Sequence, residues 1–524
     1  MVAELVYPRP GVGVRSYFVL TSLINTFPYY AGGAEMDHAP PDSVGYSFDL
    51  TAFSFPNTVV FRYDAHAHIG GGGIALVEVG GGYGSNFDYD LSVGLGATLG
   101  AESRFGIDVA GAKSVHFANN SGAVFEFGEA AFNAPGLSSL SVNNSGYFRV
   151  DANPLYPTTS AFKIGGGDLV NNGQVIVVGP TSYGIQVIAS DHLAPVSINN
   201  TAEISVDDQD ATVAHSYGIV VDWSATVTNS GEITADNAIT FNGVSADTTA
   251  HINLANSGTI SGLVSLAPGS DTLVNTGTIN GDVRLGGGDD SYDGRLGGVQ
   301  GQVLGGDGAD TLLGGVGADT LDGGAGNDSI SGGQGDDAIL GGDGRNYLRG
   351  DDGNDSILGG SAFDDINGNK GNDNIDGGTG GGDWLVGGQG DDLITAHASQ
   401  NILYGNLGND TLNAGSGGDL MRGGQGNDSL AGGAGNDWLS GDRGDDTISG
   451  GAGADTFHTF SGAGVDRVLD FHIAEGDKVQ VDAGTIYTVN QVGADTVIDM
   501  GGGDQMILVG VDKATLTPGW IFTV

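Results

Sequence analysis

Fifteen aspartates stand at the sixth position of a nine-residue phrase that repeats seventeen times over residues 305–458: Asp310, Asp319, Asp328, Asp337, Asp355, Asp364, Asp373, Asp383, Asp392, Asp410, Asp419, Asp428, Asp437, Asp446 and Asp455. A carboxylate at nearly every ninth residue, with no cysteine anywhere in the chain, offers only hard oxygen donors. Carboxylates completed by main-chain carbonyls make flexible, many-coordinate sites. These suit Ca2+ better than the small octahedron of Mg2+ or the nitrogen and sulfur ligands of Zn2+. Asp290, ahead of the array, is counted with these candidate ligands. At Asn346 and Asn401 the position keeps an oxygen and loses the charge. Those two copies, and the one with Ala362 in place of the fourth-position glycine, are the open cases.

The rest of the phrase reads as the scaffold for those carboxylates. Its consensus is Gly-Gly-x-Gly-x-Asp-x-apolar-x, cleanest over residues 323–331, 423–431 and 432–440. Glycine permits positive φ in a tight turn and close approach of backbone to an ion. The eighth residue is apolar in every copy, from Leu312, Leu321 and Ile330 through to Leu439, Ile448 and Phe457. A short strand pointing that side chain inward builds a continuous core when copies stack. The frame survives one inserted residue over 377–386 and a glycine-free copy over 396–404, where Leu403 holds the apolar position. A disordered acidic linker would not keep that register.

This pattern resembles the RTX nonapeptide array. The resemblance implies that two successive copies form one coil of a parallel β-roll, with Ca2+ held between the turns of stacked copies. Residues eighteen apart then lie above one another, Asp310 over Asp328 and Asp319 over Asp337. It also implies export by a type I exporter that reads an uncleaved C-terminal signal.

Composition agrees with an ion-loaded, extracellular chain. There are 64 acidic against 17 basic residues, a formal net charge of -47. Nucleic acid and anionic membrane surfaces are therefore poor partners unless calcium intervenes. Without Ca2+ the stacked carboxylates repel and the array is expected to be largely unfolded, so that ion binding and folding are one event. Low-affinity extracellular sites, roughly 10⁻⁴ to 10⁻³ M, fit such a switch. Residues 1–20 carry no basic start followed by an apolar run, so no cleavable N-terminal signal is expected. No segment is long and apolar enough for a transmembrane helix. On its own this reads as cytoplasmic; the RTX resemblance reverses it and implies an extracellular location, at the cell surface, and the absence of cysteine is compatible with that route.

Upstream, Asn-rich phrases precede alternating apolar residues at Asn119-Asn120, Asn143-Asn144, Asn171-Asn172, Asn199-Asn200, Asn229, Asn256 and Asn275. Their spacing suits the coils of a parallel β-helix with Asn and Gly at the corners; a β-sandwich of short strands is the alternative. Residues 1–110 are rich in glycine and aromatics and read as a β-rich cap or anchoring region. After the array, the stretch from Asp455-Thr456-Phe457 through Val465-Asp466-Arg467-Val468 to Gly476-Asp477-Lys478-Val479, and the apolar end Trp520-Ile521-Phe522-Thr523-Val524, resemble the β cap and secretion region that closes serralysin-type arrays. The expected fold is all-β: a β-rich cap over 1–110, a parallel β-helix over 111–285, a calcium-binding parallel β-roll over 286–458 and a C-terminal β cap with the secretion region over 459–524.

Enzymatic motifs are scarce. There is no His-Glu-x-x-His for a zinc protease and no Gly-x-Ser-x-Gly nucleophile elbow for a lipase. A β-helix followed by an RTX roll is similar to the plan of mannuronan C5-epimerases. Asp64, His66 and His68 lie nearest to that family's Asp-Pro-His phrase, with Ala65 in place of proline. His116, His192, His215 and His251 have no evident partners in the sequence. Two tandem solenoids suit lattice or matrix building better than turnover, and RTX proteins that coat cells as S-layers resemble this arrangement. The expectation is a secreted, calcium-dependent surface protein that self-associates into sheets or filaments. An adhesin for cell-surface polysaccharide and a polysaccharide epimerase or lyase are the alternatives.

Overall fold

The computed structural model describes separate strands between residues 17 and 151. From residue 159 it describes the chain with breaks at 165–166, 180, 189–195, 208–215, 244–248 and 398; side chains are described, also with breaks, from residue 141 on. Two compact units divide it, Met1–Arg284 and Leu285–Val524.

In the first unit, strands that end on asparagine stack in parallel: Ser114–Asn119, Ser139–Asn144, Gly167–Asn171, Val196–Asn200, Ala225–Asn229, Ile252–Asn256 and Thr272–Asn275. A second row runs through Tyr147–Asp151, Gln174–Val178, Glu203–Asp207, Glu232–Phe241, Thr259–Ser265 and Thr278–Asn280. A third runs through Ala130–Ala134, Thr159–Ile164, Ser182–Val187 and Ser216–Val221. This parallel stacking is a β-helix and not a sandwich, whose sheets would be antiparallel. Each alternating apolar residue meets its counterpart one coil on: Val142, Leu169, Ile198, Val227, Leu254 and Leu273 form one buried column. Strands before residue 110 pair in parallel too, with Tyr46–Asp49, Ala65–Ile69 and Asp88–Val93 in successive register.

The corner asparagines do more than turn the chain. Nδ2 of Asn144, Asn171, Asn200, Asn229 and Asn256 each donates to Oδ1 of the next asparagine in the column at 2.7–2.8 Å. All are buried, and the ladder satisfies amides that would otherwise lose their water for nothing. Alanine replaces the turn glycine at Ala202, and there the Asn200 amide also donates to the Ala202 carbonyl at 2.9 Å.

The second unit is a narrower roll with two strands per coil. One face stacks Ser329–Gln334, Tyr347–Asp352, Asp365–Lys370, Trp384–Gln389, Ile402–Leu407, Leu420–Gln425 and Trp438–Arg443 in parallel. The other includes Thr320–Ala325, Ala338–Asp343, Ser356–Gly360, Asn374–Gly378, Leu393–Thr395, Thr411–Asn413, Ser429–Ala434 and Thr447–Ala452. All seventeen eighth-position residues are buried between the two faces. Each contributes about 1.5–3 kcal/mol of burial, so the core is supplied by one side chain per repeat. At many fourth positions, stacking this close leaves no room for a side chain. Gly326 has φ 141°, and a Cβ there would strike the carbonyl oxygen of Gly308 in the coil before.

Past the array the pattern turns partly antiparallel. Thr488–Val492, Asp495–Gly501 and Asp504–Leu508 form an antiparallel meander whose last strand lies parallel to Val465–Val468. Ile521–Thr523 lies parallel to Lys478–Val481. The rings of Phe457, Phe471 and Trp520 pack in series, with centroids 5.9 and 6.1 Å apart.

Candidate metal centre

Because the coil is two repeats long, the sixth-position residues separate into two ladders, one along each edge of the roll. In the first, the backbone N–H of each residue donates to Oδ1 of its counterpart one coil on, through Asp290, Asp310, Asp328, Asn346, Asp364, Asp383, Asn401, Asp419, Asp437 and Asp455. In the second the same bond links Asp319, Asp337, Asp355, Asp373, Asp392, Asp410, Asp428 and Asp446. Asp310 stacks on Asp328 and Asp319 on Asp337, as the RTX resemblance implied.

From Asp310 in the first ladder and Asp337 in the second, Oδ1 of each carboxylate is thus occupied by the fold, and Oδ2 is not. In Asp310, Asp328, Asp337, Asp355, Asp364, Asp373 and seven further array aspartates through Asp446, Oδ2 is buried with no hydrogen-bond partner, and so is that of Asp455. Asp319 differs, its Oδ2 accepting from the Gly315 N–H at 2.7 Å. What faces these oxygens is more oxygen. A Cβ at first-position Gly323 would lie against Asp328 Oδ2 and 2.7 Å from the Gly341 carbonyl oxygen. Absence of a side chain therefore lets an aspartate oxygen and a carbonyl oxygen approach the same point. Among the described residues no three His, Cys, Asp or Glu side chains gather at one point, so main-chain carbonyls would have to complete any ion site. A buried carboxylate oxygen facing carbonyls requires a proton or a cation, and an all-oxygen set with several carbonyls fits Ca2+.

Electrostatics express the same conflict. Burial, reinforced by neighbouring carboxylates, pushes Asp337, Asp364, Asp392 and Asp428 up to about 7. The same causes push Asp310, Asp373, Asp410 and Asp437 up to about 6. A bound divalent cation would reverse these shifts by favouring the charged form.

Both ladders continue past the repeats, which the nine-residue frame did not reveal. The Asp446 N–H donates to Asp466 Oδ1 at 3.4 Å, and the Asp455 N–H to Asp477 Oδ1 at 3.0 Å. Burial, with the nearby Asp446 carboxylate, raises Asp466 to about 8. Their spacing is 20 and 22 residues, outside the frame, yet each keeps an apolar residue two positions on, Val468 and Val479. An outer ladder at the fifth position was also missed. It runs in the opposite sense, Asn354, Asn372, Asp391, Asn409, Asn427 and Asp445 each donating a backbone N–H to the side chain one coil before.

Asp64, His192 and His215 lie outside the described residues, as do the side chains of His66, His68 and His116. Register alone sets His66, Asp90 and His116 on successive coils. His251 Nδ1 lies 3.2 Å from Ser224 Oγ. At the end of the roll, His458 bridges Ser440 Oγ and Asp482 Oδ1, each at 3.0 Å. Its burial is the inverse of a nucleophilic triad: Ser440 is fully buried, whereas the Asp482 side chain is 55% exposed.

Comparison with known proteins bears on the roll. The family model of the RTX calcium-binding nonapeptide repeat (4 copies) matches eight segments: residues 304–339, 331–366, 340–375, 349–382, 377–412, 413–448, 422–457 and 431–467. No curated protein matches the chain. Among solved structures, the crystal structure of extracellular lipase LipA from Serratia marcescens is similar at 22% identity, over 39% of this chain and 39% of that one, with a TM-score of 0.19. The match thus spans less than half of the lipase's length. With its repeats matched and its buried carboxylates arranged for Ca2+, the chain carries an RTX calcium-binding nonapeptide array over residues 304–467.

Proposed function

We propose that this is a secreted surface structural protein that folds when Ca2+ fills the array and then self-associates, in the manner of an S-layer or extracellular matrix component. The observation that carries the calcium switch is the double file of buried Oδ2 atoms without hydrogen-bond partners. Such a roll is unstable until cations occupy it, and only a calcium-rich exterior supplies them. Export through a type I exporter is the route that agrees with this.

Support for association comes from one face of the roll. Seventh-position residues there stack as Tyr347, Asp365, Trp384, Ile402, Leu420 and Trp438. Tyr347, Trp384 and Ile402 are 49, 44 and 37% exposed. The corresponding row on the other face reads Ala338, Ser356, Asn374, Leu393, Thr411, Ser429 and Thr447, largely small and polar. A row of exposed apolar side chains marks an interaction surface. The same tryptophan and tyrosine favour a second reading, an adhesin that stacks a cell-surface glycan on those rings.

The test is negative-stain microscopy with circular dichroism on one sample, in EGTA and then in about 10 mM CaCl2, above the range of weak extracellular sites. Sheets or filaments appearing together with β-structure are expected. Folding to dispersed monomers would remove self-assembly and leave the glycan reading, to be checked by binding to polysaccharide in calcium.

A further inference from the structure

We infer that the rungs at Asn346 and Asn401 are closed to Ca2+ by their own side chains, the amide supplying internally what an ion supplies elsewhere. The inference rests on the calcium reading of the array. It assigns to the first ladder two fixed metal-free points and to the second none.

The argument begins with which way each amide must point. The Asp328 N–H donates to Asn346 Oδ1 at 3.0 Å, and the Asp383 N–H to Asn401 Oδ1 at 3.1 Å. Only an oxygen accepts that ladder bond, so the orientation of both amides is fixed by the fold. Nδ2 is thereby forced into the position Oδ2 holds in an aspartate copy. A Cβ at first-position Gly341 would lie 2.7 Å from Asn346 Nδ2, where at Gly323 and Gly332 the corresponding atom is an aspartate Oδ2.

That nitrogen is a donor among acceptors. Asn346 Nδ2 points to the Gly344 carbonyl at 3.4 Å. Asn401 Nδ2 donates to the Ser399 carbonyl at 3.2 Å and to Asp419 Oδ1 at 3.1 Å. Gly344 and Ser399 are the fourth-position residues of the same two copies. Asparagine therefore bridges its own turn without an ion, and its N–H groups present positive charge toward any that approached. At Asn401 the first position is Ala396, buried as Ala414 is in the Asp419 copy, so it is the amide and not the first-position methyl that sets this rung apart. The first ladder consequently reads as Asp310 and Asp328, then Asp364 and Asp383, then Asp419 onward, separated by neutral rungs. The second runs unbroken from Asp319 to Asp446.

Calcium stoichiometry of the full-length chain, measured by equilibrium dialysis with radioactive Ca2+ and with β-structure followed by circular dichroism, tests this. Asn346→Asp is expected to bind at least one more Ca2+ per chain than the parent. Asp373→Asn, on the unbroken ladder, is expected to keep the ladder bond and the β signal while losing at least one. Should Asn346→Asp fold and bind no more, or Asp373→Asn bind as many as the parent, the amide does not close a rung and the inference falls. A parent chain that binds no Ca2+ and folds in EGTA would instead overturn the calcium reading beneath it.

Discussion

The backbone N–H of Asp319 donates to Oδ1 of Asp337, 2.8 Å away and one coil further along the roll. That contact gives the sixth-position aspartate two separate duties. One oxygen ties neighbouring coils together, and the other, Oδ2 of Asp337, is left buried without a partner. Replacing Asp337 by asparagine removes the second duty alone, whereas alanine removes both. In saturating Ca2+ the Asp337→Ala chain is expected to be less stable than Asp337→Asn by about 1–3 kcal/mol, the cost of an unsatisfied buried N–H. Urea midpoints of the two variants check this.

Calcium removal should act on the array first. In EGTA, residues 305–458 are expected to lose β-structure and become open to protease, and excess Ca2+ should restore protection. Trp384 and Trp438 report the change by fluorescence, since both sit on the roll. Unchanged proteolysis in EGTA would count against ion-coupled folding.

Protons should partly stand in for the ion. Burial raises the folded values of Asp337, Asp364, Asp392 and Asp428 to about 7, against about 3.9 for an exposed aspartate. For an acid whose folded value is raised, the stabilising contribution is complete below the unfolded value and is lost as pH rises through the folded one. The calcium-free roll is therefore expected to hold more β-structure near pH 5 than at pH 7.5. With Ca2+ present the trend reverses, because protons then compete with the ion. Circular dichroism across that range, with and without EGTA, distinguishes the two.

Core and corner substitutions should separate the two units. Ile366→Ala in the roll is expected to cost about 2–5 kcal/mol and to raise the Ca2+ concentration needed for folding. Asn200→Ala breaks the buried amide ladder between Asn171 and Asn229. It should cost about 1–3 kcal/mol in the unit Met1–Arg284 and leave the calcium midpoint of the array unmoved. Calcium titrations and thermal melts of both variants provide the comparison.

If the exposed row on the roll drives association, Trp384→Ser should fold in Ca2+ like the parent yet fail to form sheets or filaments. Sedimentation in CaCl2 reads the difference, and assembly equal to the parent would move the contact elsewhere.

Much of this was legible in the chain itself. The nine-residue period by itself determined the inward column from Leu312 to Phe457, and its donor types the choice of an oxygen-seeking cation; the two-repeat coil of the β-roll and the stacking of Asp310 on Asp328 came from the RTX resemblance that the same period carries. The asparagine corners were legible for the same reason, though not the ladder they form, since a hydrogen bond 27 or 29 residues long has no local signature. Asp466 and Asp477 were hidden because loops of irregular length precede them, and only coil closure returns them to the column. The split of aspartate oxygens into one that holds the fold and one left for an ion, and the forced orientation of the Asn346 and Asn401 amides, were decided by tertiary structure. Each depends on which backbone N–H the next coil presents, and that is a matter of stacking in space.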